Sequence, residues 1–163
     1  MAKISFKGID AYAKALDALG RDLKREVIGK AIYDAANIVA DAIRSNIETI
    51  PVNNGYVPKG STTRGIPQVA KDGLRDSLGI TPMLADRDGV YNVKIGFDGY
   101  NGHVTKTWPK GAPNQLVARS VERGTSWLEA TPFVKRAVSS SKKAAEAAMQ
   151  KAVEDGINKS MKE

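Results

Sequence analysis

The chain has 163 residues, 42% hydrophobic and 26% charged, which fits one domain with an adequate core, thin in aromatics at 6%. It has no cysteine, which excludes a disulfide framework, a thiol nucleophile and a thiolate metal site, and suits a reducing compartment. Net charge is +7, making nucleic acid the first partner to consider; yet residues 1–50, 51–130 and 131–163 carry +1, +3 and +3, a spread that reads as a general surface property rather than a DNA groove.

The opening Met-Ala-Lys-Ile-Ser-Phe has no apolar stretch behind a basic start, and no apolar run approaches the roughly 20 residues needed to span a bilayer. The expectation is a soluble protein with no signal peptide and no membrane partner, assembled in the cytoplasm. Ile4 and Phe6 alternate with Lys3, Ser5 and Lys7, predicting a short strand over 2–7. After Gly8, Asp10 caps a first helix carrying Tyr12, Leu16 and Leu19, and Gly20 stops it.

From Asp22 to about Thr49, Ile28, Ile32, Ala35, Val39, Ala42, Ile43 and Ile47 recur at three- and four-residue steps, with Lys30, Asp34, Asn37, Asp41, Arg44 and Glu48 opposite. This helix spans roughly 40 Å at 1.5 Å per residue, long for so small a domain, and its alanines leave it slim enough for a close partner. Pro51 ends it. Residues 51–73, rich in Pro, Gly and Asn, read as a long loop whose Val52, Tyr56, Val57, Ile66 and Val69 can dock on a neighbour.

Leu74 to Met83 reads as the first strand of a sheet, with Leu74, Leu78 and Ile80 inward, although Leu74-Arg75-Asp76-Ser77 also fits a helical turn. Asp86-Arg87-Asp88-Gly89 is a hairpin turn, and Val90–Phe97 alternates and pairs back. Residues 98–113 form a second glycine-rich loop with His103, Trp108 and Lys110. Leu116–Val121 is helical or extended and leads, as a strand end, into a turn at Gly124. Thr131 and Pro132 open a long C-terminal helix with Phe133, Val134, Ala137, Val138, Ala145, Met149, Ala152, Val153 and Ile157 on its apolar side. Lys142 with Glu146 and Lys151 with Asp155 sit at supporting four-residue spacing outside.

Motifs for chemistry are scarce. His103 is the sole histidine, without a second ligand at metal spacing or partners for a triad, so no metal site is expected. There is no Gly-x-Ser-x-Gly elbow, Ser141-Lys142 reads as helix composition, and the glycine-rich loops lack the Gly-Lys-Ser/Thr ending of a phosphate cradle. Asp86 with Asp88 reads as a turn, Asp34 with Asp41 as a solvated helix face. No catalytic or cofactor-binding residue is assigned, and an enzyme is not expected. Lys59, Arg64 and Lys71 in the first loop, and Lys106 and Lys110 beside Trp108 in the second, are the best candidates for DNA contact, since an aromatic among lysines can stack bases. Trp108 and Trp127 read first as loop anchors or contacts to a neighbouring protein.

Three segments in order carry a resemblance: the long helix ending at Pro51-Val52; Gly73-Leu74-Arg75-Asp76-Ser77-Leu78; and Val121-Glu122-Arg123-Gly124-Thr125 followed by Pro132-Phe133-Val134-Lys135-Arg136-Ala137. Together they resemble the head–tail joining and tail-completion (neck) proteins of long-tailed bacteriophages, which show a Gly-x-Leu-Arg-x-Ser strand start and a Val-Glu-x-Gly-Thr strand end before a Pro-Phe-x-x-x-Ala helix start. The resemblance implies one α+β domain, its long N- and C-terminal helices packed on a small antiparallel sheet, with two long loops. It also implies a virion structural role, as a homo-oligomeric ring, commonly hexameric, joining the tail to the head connector and leaving a DNA channel. The partners implied are the tail-tube or tail-terminator protein and the connector proteins; tail-terminator and connector-adaptor roles are close alternatives. About 20 residues, Asn53–Asp72, stand where the family has only a few, which suggests an elaboration touching a ring neighbour or the tail. Ring contacts are heterologous. The expected contact residues are Tyr56, Val57, Arg64, Ile66, Trp108, Lys110, Trp127, Met149 and Val153. The reading from a different class is a small basic protein that binds DNA without regard to sequence.

Overall fold

The computed structural model describes Asp17 and residues 20–161; the strand expected over 2–7, and nearly all of the helix expected over 10–19, lie outside the described residues. The architecture is α+β. Helix α1, Arg21–Glu48, is followed by α2, Gln68–Ser77. Four short strands come next: β1 Leu78–Ile80, β2 Leu84–Ala85, β3 Tyr91–Asn92 and β4 Ile95–Phe97. Helices α3, Asn114–Arg123, and α4, Phe133–Ser160, complete it.

The two long helices lie antiparallel. Asn46, near the end of α1, donates its side-chain amide to the Phe133 carbonyl at the start of α4 (3.0 Å). At the other end, Gly156 of α4 faces Val27 of α1, so closely that a Cβ on Gly156 would stand 2.7 Å from both Val27 methyls. Small residues make this approach possible: Ala31, Ala35, Ala36 and Ala40 on α1 meet a helix whose buried positions include Ala137, Ala145 and Ala152. The buried stripe of α1 is therefore turned toward its small side. Val27 and Ala31 are buried where Ile28, Ile32 and Ala42 stay half-buried, while Ala35, Val39, Ile43 and Ile47 face inward as the spacing predicts. α4 buries Phe133, Ala137, Met149, Ala152, Val153 and Ile157, so its alanine-rich end is covered by α1 of the same chain.

Three expectations are corrected. Residues 68–73 are not loop: they form the first turns of α2, and Leu74, fully buried, belongs to that helix, in line with the helical turn that 74–77 also fits, and not to a strand. Pro67 stands just before its first residue, where a missing N–H costs nothing, and Ala70 with Leu74 supplies a buried i, i+4 pair. The alternating run Val90–Phe97 is not one strand. Tyr91–Asn92 pairs with Leu84–Ala85, and Ile95–Phe97 pairs with Leu78–Ile80, because Val93 turns into the core (7% exposed) between two separate antiparallel ladders. Residues 121–123, read as a strand end, are the last turn of α3, and Gly124 and Thr125 follow just past its end.

The hairpin turn forms as expected. The Asp86 carboxylate accepts the Asp88 and Val90 amides (3.0 and 2.9 Å). The ladders, α2, α3 and the segments beside them add Ile66, Ala70, Leu74, Val93, Ile95, Ala118, Val121 and Leu128 to the core around Phe133, whose ring packs tilted on Phe97 at 5.9 Å.

Candidate interaction surfaces

The segment between α3 and α4 is a joint built almost entirely from hydrogen bonds. Gly124, at φ 74°, reverses the chain in a left-handed conformation that favours glycine, and its amide returns to the Ser120 carbonyl (2.8 Å). Thr125 closes the next turn: its amide donates to the Leu128 carbonyl (2.8 Å), and its hydroxyl accepts the Leu128 amide (3.1 Å). Thr131 donates its amide to the Val121 carbonyl (2.7 Å). Its side chain does not cap α4, contrary to the sequence expectation. The Glu122 carboxylate does so from α3, accepting the Val134 and Lys135 amides at 2.8 and 3.0 Å. A carboxylate here satisfies two orphan donors and meets the positive end of the helix dipole. This explains Val-Glu-x-Gly-Thr physically: each of its polar positions locks the entry to α4.

The first loop, 51–67, is stitched to this joint. Asn53 and Ile66 pair through Asn53 N–H to Ile66 O (2.9 Å), and Ile66 N–H reaches Pro51 O (3.1 Å). Thr63 exchanges backbone bonds with Trp127 and Glu129 (2.8 and 2.9 Å). Arg64 Nε lies 3.2 Å from Glu129 Oε2. The Asn53 amide donates to the Thr63 hydroxyl, and Asn54 Oδ1 accepts the Gln68 amide (2.9 Å), capping α2 from outside it. So ordered a loop nevertheless leaves Tyr56 88% exposed and Trp127 half exposed.

The second loop, 98–113, hangs on two buried asparagines. Asn114 at the head of α3 donates its side-chain amide to Asp98 O (2.9 Å) and accepts from Asn101 (3.1 Å), while Asn101 Oδ1 accepts the His103 amide (2.8 Å). Tyr100 and Val104 stay 69% and 62% exposed. Trp108 sits at a turn closed by paired Thr105 and Trp108 backbone bonds (3.1 Å).

The structure thus sorts the expected contact residues. Tyr56, Arg64, Trp108, Lys110 and Trp127 are exposed and Val57 is half-buried. Arg64 and Trp127 share the joint with the first loop. Trp108 and Lys110 lie on the second loop, and no hydrogen bond or ion pair among the described residues links the two loops. Ile66, Met149 and Val153 are corrected: at 4%, 4% and 2% exposure they are core residues of this chain, Met149 and Val153 on the buried side of α4 and Ile66 turned inward where its backbone bonds to Pro51 and Asn53.

Lys71 is also corrected as a DNA contact. It is buried and donates to the Glu48 and Ile50 carbonyls (2.8 and 3.1 Å), so its charge satisfies the open end of α1. Arg75 beside it is held above its ordinary pKa, first by Asp72 and then by Glu48, and ties α2 to that same end. Among the described residues no group of three or more His, Asp and Glu is placed to hold a metal ion. No helix among them is long and apolar enough to cross a membrane.

Sequence reasoning took the outer side of α4 for paired charges. Lys142 and Glu146 do pair, at 3.9 Å, but Lys135, Arg136 and Lys143 are exposed and form no ion pair among the described residues. Plotting 135, 136, 139, 142 and 143 on a helix would have put them on one face. Compared with protein-family models, curated proteins and solved structures, the chain matches none.

Proposed function

We propose that this protein is a structural subunit of a bacteriophage neck, assembling into a ring that completes the tail end and joins it to the head connector. The observation that carries the reading is the pairing of rigid backbone with exposed apolar side chains. Tyr56 and Trp127 stand out from a loop and joint fixed by at least four backbone bonds. Tyr100, Val104 and Trp108 stand out from a second such loop, and Leu84 and Val90 (61% and 57% exposed) from the hairpin. Apolar groups held out in order, on several separate parts of a small subunit, suit contacts with more than one neighbour.

The ordered motifs give the direction of the assignment. Glu122, Gly124 and Thr125 each hold the joint before α4, so the resemblance to neck proteins falls on residues with a structural task. The elaborated 53–72 region then supplies Tyr56 as a contact to a ring neighbour or the tail.

The test is sedimentation of the wild-type chain and a Tyr56→Ser/Trp127→Ser variant, alone and with tail-tube protein. The reading expects wild-type rings, or rings recruited by the tube, and a variant that folds but stays monomeric. A variant that assembles as well as the wild type removes this surface from the account.

A further inference from the structure

Although the sequence spreads its positive charge, the fold gathers part of it. The α3–α4 joint brings the last turn of α3 against the first turn of α4 through the Glu122 cap. Arg119, one helical turn before Arg123 and three residues before Glu122, and Arg123 itself are exposed on α3. On α4, Lys135, Arg136, Lys142 and Lys143 recur on the side opposite buried Phe133, Ala137, Ser141 and Ala145. At 1.5 Å per residue the α4 set spans only about 12 Å of helix.

Nearby negative charge is already engaged. Glu122 accepts two backbone amides, Glu129 pairs with Arg64, and Glu146 pairs with Lys142 alone. Among the described residues, Arg119, Arg123, Lys135, Arg136 and Lys143 form no ion pair. Pro132, Lys135, Arg136, Ser139 and Ser140 line a shallow open depression on this face.

We infer that this corner of α3 and α4 binds the phosphate backbone of duplex DNA without reading its sequence. The chemistry favours phosphate over a protein partner because the face offers guanidinium, ammonium and hydroxyl groups, which contact phosphate oxygens. Along α4 itself no large hydrophobic side chain is exposed, so the basic side of that helix lacks the apolar centre of a protein interface. Residues 133–149 contain no Asn or Gln, the side chains that pair with adenine edges. In a neck ring such a face would meet the DNA that passes through; the inference itself needs only the single subunit.

The experiment titrates a mixed-sequence 30-base-pair duplex with the full chain across a salt series, using two variants with basic residues changed to glutamine, both checked for native melting. Arg119→Gln/Lys135→Gln/Arg136→Gln/Lys143→Gln removes the corner. Lys59→Gln/Lys106→Gln/Lys110→Gln removes exposed loop charges. Each neutralised phosphate contributes about 0.9 to the log–log salt slope. The corner variant is therefore expected to bind at least about tenfold more weakly at low salt, with a slope shallower by roughly three to four, and the loop variant to stay within about twofold. No duplex binding by the wild type overturns the inference. So does equal weakening by both variants, which would make the effect one of net charge. Loss of self-association with DNA binding intact would make the corner a subunit contact and overturns it too. Rings that form normally while DNA binding fails leave the proposed function standing.

Discussion

Removing the Glu122 carboxylate tests how the joint between α3 and α4 works. In Glu122→Ala the Val134 and Lys135 amides lose their acceptor at a helix start where Pro132 supplies no side-chain cap. Loss of a cap costs about 0.5–2 kcal/mol, and loss of a negative charge at the dipole's positive end a further ~0.3–1 kcal/mol. Water can reach Lys135, which is exposed, more easily than half-buried Val134, so the expected destabilisation is about 2 kcal/mol. For a chain of this size that lowers Tm by roughly 4–8 °C. Glu122→Gln keeps an acceptor oxygen without the charge and should cost about half as much. Thr131→Ala, the residue that sequence alone nominates as the cap, should stay within about 0.5 kcal/mol. Urea unfolding at constant m-value measures all three, and hydrogen exchange at Val134 and Lys135 locates the change. The reasoning is refuted if Thr131→Ala costs more than Glu122→Ala, or if exchange at those two amides is unaltered.

Other residues give sharp expectations. Gly156→Ala should gain about 1 kcal/mol of helix propensity and lose more to overlap with Val27, for a net loss of about 1 kcal/mol; Val27→Ala beside it should recover at least about 0.5 kcal/mol in a double-mutant cycle by chemical denaturation. Lys71→Met leaves the Glu48 and Ile50 carbonyls without their donor and should cost about 1–3 kcal/mol in the same assay. Met149→Ala should destabilise the isolated subunit by about 2–5 kcal/mol, whereas Tyr56→Ser should leave its melting within about 0.5 kcal/mol and act on assembly alone. Thermal melts of the monomeric fraction separate those two cases.

The long helices were legible because alanine and branched residues repeat at helical steps over 28 positions each. Which side of α1 is buried was less so. Hydrophobicity alone points to Ile28 and Ile32, but the close approach of α4 selects the smaller Val27 and Ala31, and only the partner helix decides that. The Asp86–Gly89 turn could be read because Asp-Gly chemistry is local. The split of Val90–Phe97 depends on Val93 turning into the core, a tertiary choice that alternation does not record. α2 was hidden among polar residues and Gly73, although Pro67 with Ala70 and Leu74 was a readable signal. Exposed Tyr56, Trp108 and Trp127 were found by their place in loops. Met149, Val153 and Ile66 were misplaced because an apolar residue looks the same in the sequence whether a neighbouring subunit or its own helix pair covers it. The basic corner was missed because Arg119 and Lys135 are distant along the chain, and the Glu122 cap that joins their helices is a contact across the joint.

The central claim, a ring-forming neck subunit, is tested most directly by the mass of the purified protein in light scattering, alone and with its tail-tube proteins, at two salt concentrations. The account predicts a ring-sized species, or a monomer that the tube recruits into one. A monomer that ignores tube and head components at both salt concentrations, and only shifts duplex DNA at the lower one, would contradict it.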